Sequence, residues 1–257
     1  MDTQQQTSFN VLLIGDSCID RYNIGTVERI SPEAPVPILK IIETYDVRGM
    51  AANVESNLKN LGINVDFVTN AAPIFKHRYI DKKSGQHMLR VDDEVYVCAW
   101  SGRIPNEEYH AVVISDYDKG FVTYETIELV IKTYNCPVFI DTKKQDLSRF
   151  NADNVYVKIN ELEYKTSISR PAQFIVTLGD QGALFTSPSI GAKMFETKRV
   201  EVMDVCGCGD TFMAALVARY LFTNDIEQSI IFANKAAGIT VQHRGNYSPT
   251  LKEINGH

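Results

Sequence analysis

The stretch Asp204-Val-Cys-Gly-Cys-Gly-Asp-Thr-Phe212 places two glycines and a carboxylate directly before the largely apolar run 212–221. Such a run reads as a buried helix, so Gly207, Cys208 and Gly209 fall at its N-terminus. Backbone N–H groups are unpaired there and carry partial positive charge. Glycines let a phosphate approach those groups closely. Asp210 then stands where it could take a proton from a hydroxyl attacking that phosphate. The chemistry such a cluster supports is phosphoryl transfer to an alcohol. Taken alone, the spacing equally describes a Gly-rich turn with a capping Asp.

The elements that would position this cluster alternate. Val11-Leu-Leu-Ile14 is a short apolar run ending at Gly15-Asp16 and reads as a buried strand. Residues 30–37 hold three prolines and must turn or extend, and a strand pattern resumes over 38–42. Residues 51–61 show helical spacing stopped by Gly62, and 65–69 is another strand. Residues 76–97 read as a hairpin around Lys82-Lys-Ser-Gly85. Four short strands follow near 112, 138, 155 and 174, with a helix over 126–134 between the first two. Antiparallel strands are expected over 183–203, then helices near 210–222 and 226–241. This alternation predicts an α/β fold with a mostly parallel sheet flanked by helices. Ligands bind beyond the C-terminal strand ends of such sheets. Gly15-Asp16, Ser115-Asp116, Asp141, Asn160-Glu161 and Gly179-Asp180 all fall at those ends.

A chain of 257 residues suffices for one large domain. A net charge of -6 argues against a general nucleic-acid binder. No apolar window is long enough to span a membrane, and the polar start lacks a signal-peptide core. Five widely spaced cysteines do not suggest a disulfide framework, so a reducing, cytoplasmic setting is expected. Cys206 and Cys208 have no partner pair at zinc-site spacing, and a thiol at a helix N-terminus is expected to be acidic and easily oxidised.

These residues resemble the ribokinase (PfkB) family of sugar kinases. The 204–212 stretch is similar to that family's Asp-Thr-x-Gly-Ala-Gly-Asp-x-Phe signature, and Gly49-Met-Ala-Ala-Asn53 to its Gly-Gly-x-x-Asn motif. The likeness extends to the kinase domain of the bacterial heptose 7-phosphate kinases. It is carried by Gly15-Asp-Ser-Cys-Ile-Asp-Arg-Tyr22, Arg29-Ile-Ser-Pro-Glu-Ala-Pro-Val-Pro37, Ser115-Asp-Tyr-Asp-Lys-Gly120, Asn160-Glu-Leu-Glu163 and Ala233-Asn-Lys-Ala-Ala-Gly238. The resemblance implies one ribokinase-like domain over 1–257. Its central sheet would be mostly parallel, with a small β-sheet lid from parts of 21–48 and 76–98 that pairs between subunits as a homodimer. The chain departs from the pattern at Met50, where the family has a second glycine, and at Cys208, where it has alanine. Segments near 69–78 and 163–174 are shorter than in the family. No His-x-Gly-His occurs, so adenylyl transfer is expected to need another protein.

The resemblance also assigns roles. Asp210 is the expected base, with Gly207, Cys208 and Gly209 as the anion cradle. Asp16, Asp20, Gly49, Asn53 and Lys119 are expected at the sugar, and Lys76, Arg78 and Arg90 are further cations available to a substrate phosphate. The alternative for Asp20 is an ion pair with Arg21. Thr177, Gly179 and Asn234 are expected on the nucleotide side, with a buried amide as the other reading of Asn234. Asn160 and Glu163 are expected to hold Mg²⁺ through water. ATP is the implied co-substrate, with K⁺ left open. The implied reaction makes heptose 1,7-bisphosphate for surface-glycan precursors. A kinase of another sugar, or a ligand-binding pseudokinase, remain the alternatives.

Overall fold

The computed structural model describes residues 8–105 and 107–256. The chain opens with β1 (Asn10–Gly15), then two long strands, β2 (Ser17–Ile30) and β3 (Pro37–Met50). Helix α1 (Ala51–Asn60) and β4 (Asn64–Thr69) precede the hairpin β5 (Phe75–Asp81) and β6 (His87–Asp93). Next come β7 (Ala111–Asp116), α2 (Tyr124–Thr133), β8 (Val138–Thr142), β9 (Val155–Asn160) and α3 (Glu161–Thr166). The last part holds β10 (Phe174–Thr177), β11 (Ala183–Ser187), β12 (Gly191–Phe195), α4 (Cys208–Thr223), α5 (Ile226–Thr240) and α6 (Leu251–Gly256).

The main sheet has eight strands in the order β12-β11-β10-β9-β8-β7-β1-β4. The strands from β4 to β10 in that order pair parallel, and β11 and β12 close the edge antiparallel. Apolar runs such as Val11-Leu-Leu-Ile14 have no polar face because helices or loops cover both sides. Val11 and Leu13 join one buried cluster with Val113, Phe139, α1, α4 and α5. Leu12 and Ile14 join a second with Val112, Ile140 and Ile127 of α2. Helix α4 is buried all along 210–218, which is why it reads as apolar on every side. Thr123 caps α2 by accepting from the Thr126 N–H, and Asp225 caps α5 through Glu227 and Gln228.

A second sheet has the order β3-β2-β5-β6. It is the expected small lid sheet, beginning at Ser17 rather than near 21 and ending at Asp93 rather than near 98. β1 runs almost directly into β2, so Asp20 lies on a strand. The inward positions of β2 are Cys18, Asp20 and Tyr22, at strand spacing. The Pro-rich 31–36 segment is the turn into β3. Residues 196–203, expected to extend an antiparallel strand, form neither helix nor strand.

Candidate active site

Chain entry to α4 sets the site. Gly207 caps the helix at φ 73°, in the left-handed region. A Cβ there would lie 2.7 Å from Asn53 Nδ2 and 2.8 Å from Asn246 Oδ1. Asp210 in the first turn is 4% exposed. Its Oδ2 accepts from Asn53 Nδ2 at 3.0 Å and its Oδ1 accepts from the Tyr117 hydroxyl at 2.5 Å. Burial raises the Asp210 pKa to about 6, while the two donors pull it down. Burial also holds the Tyr117 phenol well above its usual range, so it stays a neutral donor. A carboxylate titrating near neutrality suits a general base. Replacing Tyr117 with Phe removes a bond that favours the ionised form. The Asp210 pKa should therefore rise, moving the acid limb of kcat/KM toward higher pH; an unmoved limb would show that Tyr117 does not tune this carboxyl.

On one side of Asp210 lies a polar network. Arg78 of β5 donates to Asp20 Oδ1 through Nη2 at 2.7 Å and Nε at 3.1 Å. Both partners are largely buried. Asn246 Nδ2 reaches the other Asp20 oxygen at 3.4 Å. A Cβ on Gly49 would meet that same oxygen at 2.3 Å, so only glycine fits. Arg21, the alternative partner considered for Asp20, pairs with Asp46 instead.

Asp16 is placed differently from expectation. It is fully buried and accepts the backbone N–H groups of Tyr117, Lys119 and Phe121. Both oxygens are taken, so it fixes the 117–121 loop rather than meeting a sugar. The Lys119 ammonium pairs with Glu94 at 2.6 Å, and Arg90 pairs with Asp92. Lys76 lies 5.7 Å from the Tyr117 ring centre. Of the four cations considered for a substrate phosphate, Arg78 is the one tied into the network. Met50 has φ 59°, which explains a glycine preference there; its side chain packs into the second buried cluster.

Beside the start of α4 a cavity of about 500 Å³ opens, lined by Thr177, Gly179, Cys208, Gly209, Phe212 and Asn234, among others. The expected nucleotide-side residues are therefore brought together beside the helix start. Asn234 also donates to the Phe195 carbonyl at 2.9 Å, so it is both a cavity wall and a satisfied buried amide. Asn160 and Glu163 form a capping box on α3, each side chain accepting from the other's backbone N–H. Glu163 also receives Asn160 Nδ2 and the Lys143 ammonium. Asn160 Oδ1 and Glu163 Oε2 each accept one of these bonds and keep a second lone pair, which could accept from a water of a hydrated metal. Among the described residues no cluster of three or more His, Cys, Asp or Glu could hold a metal.

The expected acidic thiols are not found. Burial pushes Cys206 up to about 11 and raises Cys208, outweighing the helix end. Three residues of the site escaped sequence reasoning: Tyr117, Asn246 and Lys158. For Lys158 the signal was present as a lone charge in the apolar run Val155-Tyr-Val-Lys-Ile159. It is paired with Asp141 at 2.7 Å and buried.

Residues 132–253 match the family model described as pfkB family carbohydrate kinase. The structure is similar to ribokinase from Thermotoga maritima (TM-score 0.71, 18% identity, 96% of this chain and 98% of that one). It is equally similar to ribokinase from Arabidopsis thaliana, solved with ribose and ATP (TM-score 0.71, 15% identity, 97% and 98%). The fold is therefore ribokinase-like, and just under half of the chain matches the pfkB carbohydrate kinase model. Its sequence is similar to the bifunctional protein HldE of Blochmanniella floridana, 28% identical over 300 aligned positions. That match covers 96% of this chain and 62% of the relative, so the chain spans less than two thirds of that protein's length.

Proposed function

We propose that this chain transfers the γ-phosphoryl group of ATP to a hydroxyl of D-glycero-D-manno-heptose 7-phosphate, giving the 1,7-bisphosphate and ADP. One observation carries the reading. Asp210 accepts from Asn53 in the first turn of α4, whose start at Cys208 and Gly209 lines a cavity of about 500 Å³, and Asn246 nearby reaches Asp20. In the reaction the sugar oxygen bonds to the γ-phosphorus, and the bond from that phosphorus to the β-bridging oxygen breaks. The proton goes to Asp210. Backbone N–H groups of 207–209 stabilise the charge on the phosphoryl oxygens. Asp20, Asn53 and Asn246 orient the sugar hydroxyls, and Arg78 supplies charge for the sugar's own phosphate. The lid sheet would exclude water, which otherwise competes as acceptor. Mg²⁺ arriving with ATP would neutralise phosphate charge, with Asn160 and Glu163 as its water-mediated partners.

The heptose assignment rests on the motif series and on the likeness to HldE; the product would feed nucleotide-activated heptose synthesis in the cytoplasm. Among the described residues no helix is long and apolar enough to cross a membrane. Homodimerisation through the lid is part of the same reading, supported by exposed Ile41, Ile42, Tyr45, Leu89 and Val91 on its strands. A monodisperse monomer in sedimentation would contradict it. The substrate is tested by ADP release with Mg-ATP across heptose 7-phosphate, other sugar phosphates and free sugars. Heptose 7-phosphate should give the highest kcat/KM; preference for another sugar would refute the heptose assignment and keep the kinase.

A further inference from the structure

We propose that Lys158 is a catalytic residue of this kinase, donating hydrogen bonds to oxygens of the γ-phosphoryl group as it is transferred. The inference rests on the kinase reading above and adds a phosphate-binding cation to it. Lys158 and Asn160 lie two apart on β9 and so share a strand face, and Asn160 lines the nucleotide cavity. A Cβ added to Gly209 would lie 3.2 Å from Lys158 Nζ. With no side chain at Gly209, the ammonium stands directly against the helix start that forms the anion cradle.

The ammonium is buried, yet its donors are not all spent. Lys158 is 4% exposed, and its one hydrogen-bond partner among the described residues is Asp141 Oδ2 at 2.7 Å. An ammonium has three donors, so two remain for oxygens arriving in the cradle. Burying a charge with unfilled donors is costly for a purely structural ion pair. A phosphoryl group would fill them. The charged and titratable groups facing Lys158 are Asp141, Glu163, Asp210 and Cys208. A fixed cation opposite increasing phosphoryl charge, in a site screened from water, stabilises the transition state more than the ground state.

The test compares wild type with Lys158→Met and with Lys158→Met/Asp141→Asn. The double variant leaves no unpaired buried carboxylate, so it remains informative if the single variant fails to fold. For the double variant, kcat should fall by about 100-fold or more. Calorimetry with a non-hydrolysable ATP analogue and with ADP should show roughly tenfold weaker binding of the former and near-unchanged binding of ADP. A double variant with wild-type kcat and an unchanged analogue-to-ADP affinity ratio would overturn the proposal and leave a structural ion pair. If wild type turns over no acceptor, the kinase reading fails, and the affinity ratio still decides whether Lys158 meets the γ-phosphate.

Discussion

Asp210→Asn should abolish nearly all turnover while making the protein more stable at neutral pH. The asparagine keeps the size and cannot take the proton, so kcat should fall by about a thousandfold, within the range for loss of a general base. The stability gain follows from burial. The folded-state pKa is raised from 3.8 to about 6. A group with a raised folded pKa is protonated at no penalty below the unfolded value. Its ionisation then costs folded-state stability as pH climbs from about 4 to about 6. The full cost at pH 7 is on the order of 3 kcal/mol, at about 1.4 kcal/mol per pKa unit. The asparagine variant lacks this loss, so its Tm should exceed wild type at pH 7 and converge with it near pH 4. In wild type, kcat/KM should fall below pH about 6 as the base protonates. Activity that survives the substitution would remove Asp210 from the base role, and a Tm that drops at pH 7 would show that the carboxylate is structurally required.

Gly207→Ala should damage turnover through the backbone. At φ 73° an alanine costs roughly 1–2 kcal/mol before any contact is counted. Its Cβ would also meet Asn53 Nδ2 at 2.7 Å and Asn246 Oδ1 at 2.8 Å. Asn53 holds Asp210 and Asn246 reaches Asp20, so one methyl group pushes on the base and the sugar side together. The helix start must then shift, moving the cradle N–H groups. A loss of about 100-fold in kcat is expected, comparable to removing one transition-state donor. Far-ultraviolet circular dichroism should show the fold retained. A kcat within threefold of wild type would mean that the cradle does not rely on this backbone geometry.

Helix α4 was legible because its signal is local. Glycines followed by Asp210 and an apolar run need no distant partner to be read, and the sheet strands announce themselves as apolar runs ending in polar residues. The lid was only half legible. β2 carries Asp20, Arg21, Asn23 and Gly25, so it reads as a loop; its polar residues face the site or the opposite strand rather than a core. Asp16 was misassigned because its partners, the N–H groups of 117–121, are about a hundred residues away. The same holds for Lys158, whose charge is explained by Asp141 and Gly209, neither adjacent in sequence. The thiols were misjudged because a helix end lowers a pKa locally while burial, a property of the whole fold, raises it more. The Met50 backbone angle, in the left-handed region, accounts for the glycine that the resembled motif has at this position.

The most direct measurement is ³¹P NMR of the reaction of wild type with Mg-ATP and heptose 7-phosphate, run beside Asp210→Asn. The expected result is a new sugar phosphate signal growing in step with ADP in wild type and absent from the variant. ADP accumulating with inorganic phosphate alone, or new sugar phosphate formed equally well by Asp210→Asn, would contradict transfer to a hydroxyl deprotonated by Asp210.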